Sequence, residues 1–146
     1  YAAIYRNQKM YGVPTVLNQA GLIEEIGDAE KAIKKHFEIE TPFFRGATAV
    51  YSTTALNDLL AWGRYPVGYS VSIDGGGRKN GNEILKTISA TKSGDILLGH
   101  INRPDKKIGY YTAHGLANLI NSGFKIISIK DAHNYGQINQ NLVFIK

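Results

Sequence analysis

The sequence predicts an α/β fold built on a parallel sheet, and three observations carry that reading. From residue 11 to residue 129, short strand-like apolar segments alternate with segments of helical period, the signature of successive βαβ units. Proline, glycine or capping residues mark most changes of period. Three polar residues, Arg45, Asp74 and His100, stand where apolar segments end, the strand ends at which α/β folds place their chemistry.

Residues 1–10 carry a helical tint without a clear face, and YGVPTV (11–16) reads as a turn entering a short strand. A helix starts at Asn18, with Ile23, Ile26, Ile33 and Phe37 as one apolar stripe. Its acidic residues Glu24, Glu25 and Asp28 come early and Lys31, Lys34 and Lys35 late, as the helix dipole favours. Thr41 and Pro42 end that element, and Phe43, Phe44 and Arg45 make a short buried strand with a polar exit. Ser52, Thr53 or Thr54 can cap a second helix through Leu56, Leu59, Leu60 and Trp62, stopped by Gly63. Val67, Tyr69, Val71 and Ile73 alternate with small or polar residues, which predicts a strand before the flexible loop Asp74, Gly75, Gly76, Gly77. A helix over 82–89 on Ile84, Leu85 and Ile88 leads to a strand over 95–98 and a loop with Pro104. A helix over Leu116, Leu119 and Ile120, closed by Gly123, and strands at 124–129 and 142–145 complete the series.

The whole chain, 146 residues, reads as a single domain with a real core. Cysteine is absent, so there is no disulfide framework, no Cys zinc site and no thiol nucleophile. No apolar run reaches the length of a membrane span. The net charge of +5 is spread over scattered lysines. A nucleic-acid surface calls for a basic face interleaved with aromatic platforms, so no nucleic-acid partner is expected; the charge suits attraction to an anionic cell wall.

An Arg can anchor a carboxylate, an Asp can orient an imidazole, and a His can shuttle a proton. Singly, each has a plainer role: Arg45 in a surface ion pair, Asp74 as a turn residue, His100 as a capping or half-buried imidazole. Convergence at one rim of a sheet or barrel is what joins them.

Five stretches bear on that convergence: LIEEIGDAEKAIKKHFE (22–38), TPFFR (41–45), VGYSVSI (67–73), LGH (98–100) and GFKIISIKD (123–131). They are similar, in order and spacing, to a long helix before an arginine motif, the approach to that motif, a strand with a Trp-Ser-x-Asp pattern, a Leu-x-His motif and a closing strand. On these residues the chain, most strongly over 22–131, resembles the polysaccharide deacetylases of carbohydrate esterase family 4, the NodB-like domain. The resemblance implies a distorted (β/α) barrel, incomplete as it stands. It also implies metal-dependent hydrolysis of N-acetyl or O-acetyl groups on a peptidoglycan, chitin-like or xylan-like polymer, outside the cell, in the periplasm or at the cell surface. Carried over, His100 protonates the leaving amine, Asp74 holds His100 in orientation, Arg45 tethers the catalytic base and Leu98 lines the acetyl pocket. Tyr69 replaces the usual Trp.

The departures are specific. The family's Thr-Phe-Asp-Asp motif, source of the base and one metal ligand, is absent, and so is the His-Ser/Thr-x-x-His motif that supplies the other two. No pair among His36, His100, His114 and His133 has that spacing. The divalent metal, zinc by resemblance, is therefore expected to find its ligands outside these residues. His36 and His133 read as surface residues, and His114 as structural at the start of its helix. KMYGVPTV (9–16) is similar to the start of the family's second strand, yet only LNQAG separates it from the helix at Leu22. A segment is thus missing between about 16 and 22, by internal deletion or because pieces of a longer protein are joined; Val16 and Leu17, which read as a cut strand, favour the second. Gly46, Ala47 and Thr48 stand where the family has Pro-Pro-aromatic, and Asp74 falls one residue off the family's aspartate unless the loop is gapped. The alternative is a catalytically inactive, metal-free polysaccharide-binding relative, with Tyr51, Trp62 and Tyr69 as stacking surfaces.

Overall fold

The structure, a computed structural model, describes residues 2–100, 103–135 and 143–145. Among the described residues it is mixed α/β, with four α-helices and small two-stranded sheets, none closed into a barrel. The chain forms two compact units, Tyr1–Gly68 with Leu142–Lys146, and Tyr69–Asn141. No described helix is long and apolar enough to cross a membrane.

In the first unit the N-terminal stretch is extended, not helical. The hairpin of β1 (Lys9–Met10) and β2 (Val13–Pro14) is antiparallel. Its turn holds Tyr11 and Gly12 at positive φ, 52° and 81°, the backbone that two-residue hairpin loops need. Ala2, Ala3 and Ile4 are buried, and their backbone is used on two sides: Ala2 N–H donates to Pro14 O (2.8 Å), while Ala3 O accepts from Ser52 N–H (3.1 Å). Tertiary pairing of three small or apolar residues overrides a weak helical preference.

Helix α1 (Gln19–Phe37) starts at Asn18, whose side chain accepts from Gly21 N–H, and ends at Glu38 in the left-handed region. Its buried residues are Leu22 and Ile26; Ile23 and Phe37, counted in the expected stripe, are 52% and 69% exposed. The dipole is complemented only at the carboxyl end, by Lys34, Lys35 and His36, since the first turn has no acidic residue. Strand β3 (Phe43–Phe44) precedes β4 (Val50–Ser52), which the sequence did not announce. Helix α2 (Thr53–Ala61) follows, with Ser52 the cap among the three candidates, and then β5 (Tyr65–Pro66). Strand β3 pairs parallel with β5, and β4 pairs parallel with a late strand at Val143–Ile145. Val16, Leu22, Ile26, Tyr51, Ala55 and Leu59 meet in the core.

The strand expected over 67–73 is broken: only Val71–Ser72, here β6, continues in the second unit. It is followed by α3 (Gly81–Ser89), opened by an Asn80–Glu83 capping box, and by β7 (Leu97–Leu98), which pairs parallel with β6. This β6–α3–β7 segment is one βαβ unit. Helix α4 (Ile108–Asn121) begins six residues before His114, so that histidine is mid-helix and exposed, its ring 4.5 Å from that of Tyr110. Ile73, Ile84, Ile88, Ile108 and Leu119 form the core.

Residues 124–128 are not a strand. Gly123 takes φ 93°, and Phe124 N–H donates to Leu119 O (3.0 Å). That bond closes α4 as a Schellman cap, and a backbone N–H spent on a cap is unavailable to a ladder. Phe124 packs on the core, Ile126 is 51% exposed, and a 3₁₀ segment, Ile129–Tyr135, follows. The strand expected at the end of the chain is present as β8 (Val143–Ile145).

Candidate functional site

The site grows out of the β6–β7 register. Ser72 lies opposite Leu98, so two residues further on Asp74 comes opposite His100, on the same side of both strands. Ile73 N–H donates to Leu98 O (2.8 Å), the last regular bond between the two segments. At the next donor the Asp74 side chain takes over from the backbone: its Oδ2 accepts from His100 N–H at 2.6 Å.

The same carboxylate holds the imidazole. His100 Nδ1 lies 3.0 Å from Asp74 Oδ1 and 3.1 Å from Oδ2. Oδ1 also accepts from Gly76 N–H (3.1 Å) and Gly77 N–H (3.2 Å). Gly75, Gly76 and Gly77 all have positive φ, between 58° and 77°, which lets the loop turn its amides back onto Asp74. Lys79 closes the loop from outside, with its N–H on Asp74 O (3.0 Å) and its Nζ on Ser72 O (3.0 Å) and Thr87 Oγ1 (2.8 Å).

Asp74 has no solvent exposure, whereas the His100 side chain is 38% exposed. Burial pushes the Asp74 carboxyl upward, but the hydrogen bonds from the His100 ring, His100 N–H and Gly77 N–H, with the imidazole's charge, outweigh it. The carboxyl sits below its ordinary value. An ionised carboxylate only accepts, so Nδ1 must carry the proton it shares with Asp74. That leaves Nε2 as the reactive atom: a lone pair when the ring is neutral, a proton donor when it is charged. Among the described residues nothing hydrogen-bonds to Nε2.

The other candidates are distributed differently. Leu98 and Tyr69 are half-buried in the same unit as the dyad. Arg45 belongs to the first unit, is exposed, and has its Nη1 3.5 Å from Gly46 O. Tyr51 is fully buried, so its ring offers no face to a sugar; its hydroxyl accepts from Gly46 N–H (3.0 Å). Burial pushes the Tyr51 phenol up, against the smaller pull of that N–H and of Arg45. Trp62 is half-buried against the first core, and His36 is exposed. The side chain of His133 lies outside the described residues.

Sequence reasoning did not single out Gly76, Gly77 and Lys79 as supports of the dyad. An Asp followed by glycines is an Asx-turn signal and could have pointed to the two amides; nothing in the sequence marks Lys79. Among the described residues no group of three or more His, Cys, Asp or Glu side chains could hold a metal ion. The dyad does not fit that role either, because Asp74 already accepts from three backbone amides and a ring nitrogen. No protein-family model matches the chain, and no curated protein does.

Proposed function

We propose that this chain acts in the hydrolytic deacetylation of an acetylated polysaccharide, with His100 as general acid. The observation that supports this most is the grip of buried Asp74 on His100 through both N–H and Nδ1. It fixes the half-exposed ring, sets its tautomer and leaves Nε2 to protonate a departing amine or alkoxide. In this reading Leu98 lines the acetyl pocket, Tyr69 takes part in substrate binding, and Arg45 tethers the base. The β6–α3–β7 unit would be one segment of a distorted (β/α) barrel. Such a deacetylase uses a divalent metal, zinc by resemblance, to polarise the acetyl carbonyl, and its ligands would come from outside the residues of this chain. The polymer would be met at the cell surface, in the periplasm or outside the cell.

The test is acetate release from N-acetylated and O-acetylated polymers by the metal-loaded complete enzyme, which carries the metal-binding segment as well as these residues. His100→Ala should lower turnover by roughly 10²–10⁴-fold with metal content unchanged; Asp74→Asn should lose less. Full activity of the Ala variant would remove His100 from the chemistry. Polymer binding without acetate release by the unaltered protein would make the chain a metal-free polysaccharide-binding relative instead.

A further inference from the structure

The second unit contains nine of the seventeen Lys and Arg residues but only five of the twelve Asp and Glu, so four of the five net positive charges belong to it. Five of these nine cations lie in two segments tied to the dyad. Arg78 and Lys79 follow the glycines, and Arg103, Lys106 and Lys107 precede α4. Arg78 Nε donates to Gly75 O (2.9 Å) and Lys106 Nζ to Gly77 O (2.9 Å). Since Gly77 N–H donates to Asp74, Lys106, Gly77, Asp74 and His100 form one hydrogen-bonded series.

A carbonyl positions a cation without neutralising it. The carboxylates in these two segments are already committed: Asp74 is turned inward on His100, and Asp105 holds Arg103 through two bonds of 3.0–3.1 Å. Among the described residues neither Arg78 nor Lys106 makes an ion pair at contact distance, although the charge of Lys106 also acts on Asp105. Both are exposed and fixed to the loop that builds the dyad. An excess of positive charge at the edge of a site raises the local concentration of anions.

We propose that this rim binds anionic groups, so that the polymer taken by the site carries carboxylates or phosphodiesters on its sugars; the polymer part of this statement rests on the polysaccharide reading above. Binding to four probes tests it: a neutral N-acetylated sugar polymer, a carboxylate-bearing one, a phosphodiester-bearing one and a single-stranded oligonucleotide. One or both acidic sugar polymers should bind about tenfold tighter than the neutral polymer at about 50 mM salt, and the preference should shrink as salt rises to about 0.5 M. The two acidic arms tell carboxylate from phosphate. In the Arg78→Gln/Lys106→Gln variant, folded by its thermal melt, the acidic-to-neutral ratio should fall towards one. Equal binding of acidic and neutral polymers, or an unchanged ratio in that variant, would overturn the inference and leave the deacetylase reading standing. An oligonucleotide bound as tightly as the acidic polymers would overturn it too, by making the rim a general polyanion surface. If no sugar polymer binds at all, the polysaccharide reading itself falls.

Discussion

The two units solve the problem of buried polar groups in opposite ways. In the first, hydroxyls are the internal polar anchors: buried Thr15 Oγ1 donates to Gln8 O (2.8 Å), half-buried Tyr5 donates to Asp58 (2.6 Å) and buried Tyr51 accepts from Gly46 N–H. Burial, then the hydrogen bond and charge of Asp58, push the Tyr5 phenol up, so it stays neutral. Eight cations balance seven carboxylates in that unit. In the second, the core is aliphatic, built mainly of isoleucine, and the group buried at its edge is a full carboxylate among excess positive charge. A neutral hydroxyl adds order at little electrostatic cost. A buried carboxylate costs several kcal/mol to desolvate and is retained where its charge has a task, here the orientation of His100.

The comparison breaks most easily at Asp74. Asp74→Ala strands three backbone amides and the imidazole, and should cost about 3 kcal/mol or more. Hydrogen exchange should show the loss in residues 69–135, and equal loss in both units would erase the contrast. The next largest effect is steric. A Cβ at Gly115 would stand 2.5 Å from Ile88 Cδ1 and 3.1 Å from Ile88 Cβ. Gly115→Ala should therefore cost about 2 kcal/mol by overpacking, read as a lowered denaturation midpoint. Tyr51→Phe, in the first unit, leaves Gly46 N–H without its acceptor and should cost only about 1 kcal/mol in the same measurement.

Acid sharpens the contrast further. Because the folded Asp74 carboxyl lies below its unfolded value, the unfolded chain binds the proton first as pH falls. The stability Asp74 adds is complete above about pH 3.9, the unfolded value, and disappears as pH drops through the folded one. Stability measured from about pH 6 to pH 2 should fall more steeply for the unaltered protein than for Asp74→Asn. Parallel curves would mean that the carboxylate's charge does nothing for the fold.

What the sequence made legible followed from local chemistry. Asn18, Ser52 and Asn80 cap helices because their side-chain oxygens reach amides a few residues on. Gly63 and Gly123 stop two helices because they can take positive φ. Arg45, Asp74 and His100 could all be found as polar exits from apolar segments, and the structure brings Asp74 and His100 together. What stayed hidden depended on partners far along the chain. Leu22 and Ile23 are adjacent apolar residues, and only packing in the folded core chose Leu22. Strand β4 exists through its pairing with residues more than ninety positions later. The largely apolar stretch at 124–129 suggested a strand, but the cap of α4 took the first amide.

The parallel register of β6 and β7 also determines where the gene can change length. Each strand contributes two paired residues, and Asp74 and His100 stand two steps beyond the last pair. Residues added on the far side of α3, around Ser93, would lengthen a connection and leave the dyad's phase intact. A single residue inserted between Leu98 and His100 would move the imidazole by one pleat, about 3.3 Å, and turn it to the opposite face of the sheet. The dyad therefore acts as a frame-sensitive mark within the protein: homologous chains that keep it should vary in length across 90–94 but not across 72–74 or 98–100.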